Sequence, residues 1–150
     1  FREIHGDTSG EYYRGKFLTT GCSMGAYHAL NFFLRRPDIF DGVIAMSGLY
    51  HAGYFFPNYN HEVIYNNSPV DYMKNMPWNH YYLNMYRNSK IILCCGQGRW
   101  EKEWIEDTNS LKESFKRLQV PVWTDLWGYD VDHDWPWWRI QFPYFLDIVL

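Results

Sequence analysis

The sequence predicts an α/β fold, a parallel sheet flanked by helices in a single domain. Three observations predict it. Short continuous apolar runs, Gly42-Val43-Ile44-Ala45-Met46-Ser47-Gly48 and Ile91-Ile92-Leu93-Cys94-Cys95, have the length and composition of strands buried on both faces. Stretches with helical spacing alternate with such runs, which argues right-handed βαβ units rather than a sandwich. The first strand-like run also meets the first helical one at Gly21-Cys22-Ser23-Met24-Gly25, a pattern suited to a sharp strand-to-helix turn.

The elements follow in order. A first strand runs from Phe17 to Thr20, β-prone and free of proline. A helix follows, with Ala26, Ala29, Leu30, Phe33 and Leu34 on one stripe, and Arg35-Arg36-Pro37 ends it. Val43–Met46 and Lys90–Cys95 are the second and third strands. A second helix, from Trp104, carries Thr108, Leu111, Phe115 and Leu118 on its apolar face, and Val120-Pro121 closes it before a fourth strand, Val122–Trp127. The terminal segment starts at Trp135-Pro136 as a helix that Pro143 is expected to kink or interrupt. Residues 49–89 do not alternate cleanly; rich in Tyr, Asn, Pro and His, they read as an excursion over the active-site edge or as an insertion packed on the sheet edge.

At 150 residues the chain has room for one domain. A net charge of −3 with scattered Lys and Arg gives no footprint for nucleic acid and no polybasic membrane patch, and no run of about 18 apolar residues offers a membrane span. Aromatic residues make up 21% of the chain, more than a routine core needs, so some are expected to line a binding surface. Cys22, Cys94 and Cys95 form no disulfide framework, and the last two read as small apolar fillers on opposite faces of a strand. The chain starts at Phe1 without an initiator methionine or signal segment, so it reads as a piece of a longer protein. Its localisation is left open, leaning to the cytoplasm.

Ser23 falls where a nucleophile is useful, at the junction of strand and helix. The backbone N–H of Met24 and the positive end of the helix macrodipole would both face a developing oxyanion. A serine hydroxyl needs a base within hydrogen-bond reach, and there are six histidines. His133 stands out because it follows the last strand, on the sheet edge where the elbow sits. His28 lies one turn along the helix, His51, His61 and His80 lie in the excursion, and His5 is near the start. Asp130, Asp132 and Asp134 crowd His133, but one histidine and clustered aspartates on a single loop lack the dispersed donors of a metal site, so neither metal nor cofactor is expected. An acid that orients His133 should follow the third strand, where Gly96-Gln97-Gly98-Arg99-Trp100-Glu101 forms a turn. Glu101 comes first. Glu103, Glu106 and Asp107 are competitors more committed to the solvated helix face, and Glu101 itself also suits a helix N-terminus electrostatically.

With these residues in place the chain resembles the Putative esterase family of α/β-hydrolases, which includes esterase D-like and feruloyl esterase-like enzymes and mycolyltransferases. The likeness rests on Thr20-Gly21-Cys22-Ser23-Met24-Gly25-Ala26, on residues 36–48, on Asn67-Ser68-Pro69 and Gly96-Gln97-Gly98, and on His133-Asp134-Trp135-Pro136-Trp137-Trp138. The resemblance implies Ser23 as nucleophile, His133 as base and, less sharply, Glu101 as the acid. It also implies that several strands, and a loop giving a second oxyanion donor, would precede the elbow. The chain then looks like the carboxyl-terminal portion of such a domain. Losing one donor costs about a hundred- to a thousandfold in rate, so this portion alone is expected to be nearly inactive. The expected function is a serine carboxylic-ester hydrolase acting through an acyl-enzyme on a small-molecule or carbohydrate-linked ester, with Trp135 and Trp100 as substrate contacts. The alternatives are a non-catalytic binding module on the same fold and an acyltransferase.

Overall fold

The structure, a computed structural model, describes residues 17–58 and 61–149. Four strands, β1 (Leu18–Cys22), β2 (Gly42–Met46), β3 (Lys90–Cys95) and β4 (Trp123–Leu126), form one parallel sheet in the order β1-β2-β3-β4. Register is continuous across the inner pairs: Thr20 lies opposite Ile44, Ile44 opposite Ile92, and Ile92 opposite Trp123. All carboxyl ends therefore share one edge, where a parallel sheet gathers its functional loops.

Side-chain alternation explains the unbroken apolar runs. Val43, Ala45, Ile91 and Leu93 face one layer, made by α1 (Met24–Arg35), α3 (Pro69–Asn75), α4 (Leu83–Arg87) and α5 (Lys102–Arg117). Ile44, Met46, Ile92 and Cys94 face the opposite side, where α6 (Trp135–Val149) lays Trp138 and Phe145. Burial on both faces leaves no position on β2 free for a polar residue. Phe33 and Phe115, each fully buried, contribute roughly 1.5–3 kcal/mol apiece from removal of apolar area from water.

The excursion is more ordered than its sequence suggests. It holds a 3-10 turn at Ala52–Tyr54, a one-turn helix α2 (Glu62–Tyr65), and then α3 and α4. Met73, Met76, Leu83 and Tyr86 bury themselves in the α1/α5 layer, so this part of residues 49–89 builds the core face. Near the start of α1 the excursion places the turn around Phe55, whose ring lies 6.2 Å from that of Tyr27, and Asn67, whose carbonyl accepts from the Tyr27 hydroxyl at 2.5 Å. Each of these helices is too short to show a periodic stripe in the sequence.

Pro143 does not interrupt the terminal helix, and α6 continues to Val149. Proline in a helix interior removes one backbone hydrogen bond and costs about 3 kcal/mol. Burial of Phe145, with Leu146 and Val149 packed against the same cluster, offsets that cost beyond the proline. No helix of the described residues is long and apolar enough to cross a membrane. His5 lies outside the described residues.

Candidate active site

Ser23 occupies the turn between β1 and α1 with φ 54 and ψ −124, a left-handed conformation that a side-chain-bearing residue adopts only when its surroundings enforce it. Three backbone hydrogen bonds do so. The Ser23 N–H donates to the carbonyl of Met46 at 2.9 Å, and the Ser23 carbonyl accepts from the N–H groups of Ala26 at 3.0 Å and Tyr27 at 3.3 Å. The strained turn lifts the hydroxyl off the sheet edge. Met24, at the first helical position, has a backbone N–H with no carbonyl a turn earlier to receive it.

His133 reaches this hydroxyl from the loop after β4, with Nε2 2.9 Å from Ser23 Oγ. Its Nδ1 lies 3.3 Å from Glu101 Oε2. A carboxylate at Glu101 only accepts, so the geometry suits the neutral tautomer of His133 that donates from Nδ1 and accepts the Ser23 hydroxyl at Nε2. The ring is held between Trp104, with centroids 5.0 Å apart, and Trp138, edge-on at 4.9 Å. The imidazole side chain is 13% exposed.

Glu101 is the residue before α5, and its side chain is fully buried. Charge in such a place needs donors in place of water. Oε1 accepts from the Ser47 hydroxyl at 2.6 Å and from the Gly96 N–H at 3.3 Å. Oε2 faces His133 and, at 3.3 Å, the Cys95 thiol. Burial first, and then the Glu101 charge, push that thiol well above its usual range, so it stays protonated and can donate. Cys95 is thus a partner of Glu101 as well as a core filler.

The loops bearing Glu101 and His133 are fastened to each other. Gly98 N–H donates to the Val131 carbonyl at 2.9 Å, and His133 N–H to the Arg99 carbonyl at 3.1 Å. The Arg99 guanidinium grips Asp132 through Nε at 2.9 Å and a terminal nitrogen at 2.7 Å. These bonds hold the Asp132 carboxyl below its usual range. Asp134 Oδ1 accepts the Trp135 N–H at 2.7 Å. Asp132 and Asp134 therefore serve the loop.

The competing acids are elsewhere. Glu103 and Glu106 are exposed on α5. Asp107, expected on the solvated face, is instead buried, accepting the backbone N–H groups of Tyr50 at 2.6 Å and His51 at 2.9 Å. That is a correction: the helix face at Asp107 is roofed by the start of the excursion, which sequence spacing on α5 cannot reveal. Among the other histidines, His28 and His61 are exposed, His51 pairs with Asp71, and the His80 ring stacks on Tyr81. Trp100 is exposed at φ 60, with the Arg99 guanidinium 5.8 Å from its ring, and Trp135 is exposed with its ring edge-on to Trp138. The contacts of Ser47, Trp104 and Trp138 with the site and the pairing of Arg99 with Asp132 are not predicted by the sequence. Each is a fold contact that has no local pattern.

The family profile described as Putative esterase matches residues 7–146. A comparison with curated proteins returns no match. Among solved structures, the chain is similar to a ferulic acid esterase at 22% identity and a TM-score of 0.66, covering 87% of this chain and 49% of that one. It is similar to FphF, a fluorophosphonate-binding serine hydrolase of Staphylococcus aureus, at 17% identity and a TM-score of 0.65, covering 88% and 53%. It is also similar to the S-formylglutathione hydrolase FrmB of Staphylococcus aureus at 18% identity and a TM-score of 0.63, covering 88% and 50%. The chain thus spans about half the length of these solved structures, and the fold it shares with them is the α/β-hydrolase fold.

Proposed function

The chain belongs to the Putative esterase family, and from that premise we propose that it carries the nucleophile, base and acid of a serine carboxylic-ester hydrolase. The observation that carries this reading is the relay from Ser23 Oγ to His133 Nε2 at 2.9 Å and from His133 Nδ1 to Glu101 Oε2 at 3.3 Å. Ser23 Oγ attacks the ester carbonyl carbon while its proton passes to His133 Nε2. The carbonyl oxygen becomes an oxyanion beside the Met24 N–H and the positive end of α1. Collapse breaks the ester C–O bond, and His133 returns the proton to the leaving alcohol. A water molecule, deprotonated by the same nitrogen, then releases the acid and restores Ser23. Glu101 holds the neutral ring in the tautomer that accepts from Ser23 and stabilises the imidazolium formed in each half-reaction.

No metal or cofactor enters this scheme. The substrate class it fits is a small or carbohydrate-linked ester, with the exposed Trp100 and Trp135 as flat contacts for a ring on the acyl or alcohol side.

A fluorophosphonate probe tests the reading, because it phosphonylates a serine only when a base activates it. With the full-length protein, peptide mapping is expected to place the adduct on Ser23, and Ser23→Ala is expected to abolish it and lower p-nitrophenyl acetate turnover by at least about 10⁴-fold. A folded protein that takes no label on Ser23 would instead be a binding module.

A further inference from the structure

Each of the four strands delivers one residue to the hydrogen-bonded cluster at the carboxyl edge. Ser23 follows β1, Glu101 follows the turn after β3, and His133 follows β4. The residue after β2 is Ser47, which the reaction scheme above does not use. It is fully buried, and its backbone sits at φ 51, the left-handed region that a serine enters at a cost. That conformation is set as the chain leaves β2, where the Ser47 N–H donates to the Cys94 carbonyl at 2.7 Å. It aims the hydroxyl at Glu101 Oε1, 2.6 Å away.

The direction of that bond is fixed by a third residue. Trp138 Nε1 lies 3.2 Å from Ser47 Oγ, and an indole N–H can only donate. Ser47 therefore accepts from Trp138 and spends its one proton on Glu101. Donors then converge on the carboxylate: Trp138 through Ser47, with the Gly96 N–H, on one oxygen, and Ser23 through His133, with the Cys95 thiol, on the other. The last torsion of a glutamate is broad and roughly two-fold, so the His133 bond alone leaves the carboxylate free to rock. Of the two contacts on Oε1, that from Ser47 is the shorter by a wide margin, 2.6 Å against 3.3 Å from Gly96 N–H, and hydroxyl-to-carboxylate bonds of that length are among the stronger ones.

We propose that Ser47 is a positioning residue of the esterase reaction, its hydroxyl oriented by the Trp138 indole and pinning the Glu101 carboxylate so that Oε2 faces His133. This rests on the reading of Ser23, His133 and Glu101 given above. It assigns the acid's geometry to a side chain on a different strand.

The test is a double-mutant cycle in the full-length protein, reading the rate of Ser23 labelling by a fluorophosphonate and the kcat and KM for p-nitrophenyl acetate. Ser47→Gly removes the hydroxyl and relaxes the backbone at φ 51, and Ser47→Ala removes it while keeping the Cβ, so a folding defect confined to one variant does not decide the outcome. Both are expected to lower kcat and the labelling rate by about ten- to a hundredfold with KM held within about twofold. In a Glu101→Ala background the same substitutions are expected to cost nothing further, because no carboxylate remains to be positioned. Trp138→Phe is expected to give a smaller loss of the same kind. Unchanged rates in Ser47→Gly overturn the inference, and so does an equal loss in both backgrounds, which marks a merely structural residue. A wild type labelled on Ser23 beside unaffected Ser47 variants sinks this inference alone. A folded wild type that takes no label overturns the esterase reading and this inference together.

Discussion

A Cβ placed on Gly21 would lie 2.3 Å from both the carbonyl carbon and the carbonyl oxygen of Gly25, so the end of β1 and the first turn of α1 touch backbone to backbone. The reverse does not hold, because a Cβ on Gly25 meets nothing within 4 Å. The two glycines flanking Ser23 thus differ in kind: the first is needed for close approach, the second has open space. Gly21→Ala is expected to destabilise by about 1–3 kcal/mol and to displace Ser23, because no side-chain rotation relieves a clash with backbone. Gly25→Ala, within a helix, is expected to gain up to about 1 kcal/mol. Urea unfolding of the two variants checks this, and equal shifts would refute the asymmetry.

Glu101→Gln keeps the size of the side chain and removes its charge. It also allows the amide to present a donor to His133, favouring the tautomer that cannot accept from Ser23. A loss in kcat of about 10⁴-fold is expected, as for other triads whose acid is made an amide. Glu103→Gln and Glu106→Gln, on exposed positions of α5, are expected to stay within about twofold. Ester turnover by the three variants decides the assignment, and an unchanged rate in Glu101→Gln removes that residue from the role.

The Arg99–Asp132 pair ties the loop of Glu101 to the loop of His133, yet Arg99 is well exposed and the pair is open to salt. Its contribution is therefore expected to be small and dependent on ionic strength. Arg99→Ala is expected to lower kcat/KM about two- to fivefold at low salt, with the gap from wild type narrowing as salt is raised. Backbone bonds from Gly98 to Val131 and from His133 to Arg99 remain in the variant and set the limit of the loss. A gap that stays constant up to about 1 M salt would show that packing of the Arg99 stem, and not its charge, is what matters.

What the sequence could show follows from what is local. β2 and β3 were legible because burial on both faces leaves an unbroken apolar run. The elbow was legible because a strained turn flanked by a strand and a helix leaves a pattern five residues long. The placement of His133 and Glu101 on the elbow's edge was legible from strand order, since in a parallel sheet the residues after successive strands share an edge. Ser47 was not legible: it reads as the polar end of a strand, and its meaning depends on Glu101, 54 positions away, and Trp138, 91 positions away. Asp107 misled for the same reason. Its place on α5 says nothing of the Tyr50–His51 backbone that covers it.

Asp107 carries a pH dependence whose sign can be worked out. Burial raises its carboxyl above the ordinary value of 3.8, outweighing the Tyr50 and His51 backbone N–H groups and the nearby His51, with Asp71 adding to the rise. The native state therefore holds this proton more tightly than the unfolded chain does. Its contribution to stability is fully present below the ordinary carboxylate value and is lost as pH rises through the raised native value. Asp107→Asn cannot ionise, and its side-chain oxygen can still accept from Tyr50 and His51. Relative to wild type, the variant is expected to become progressively more stable as pH is taken from about 4 to about 7, while ester turnover stays unchanged. Urea unfolding of both proteins across that range measures the difference. A flat difference, or one that falls with pH, would show that the Asp107 charge is fully compensated in its buried place.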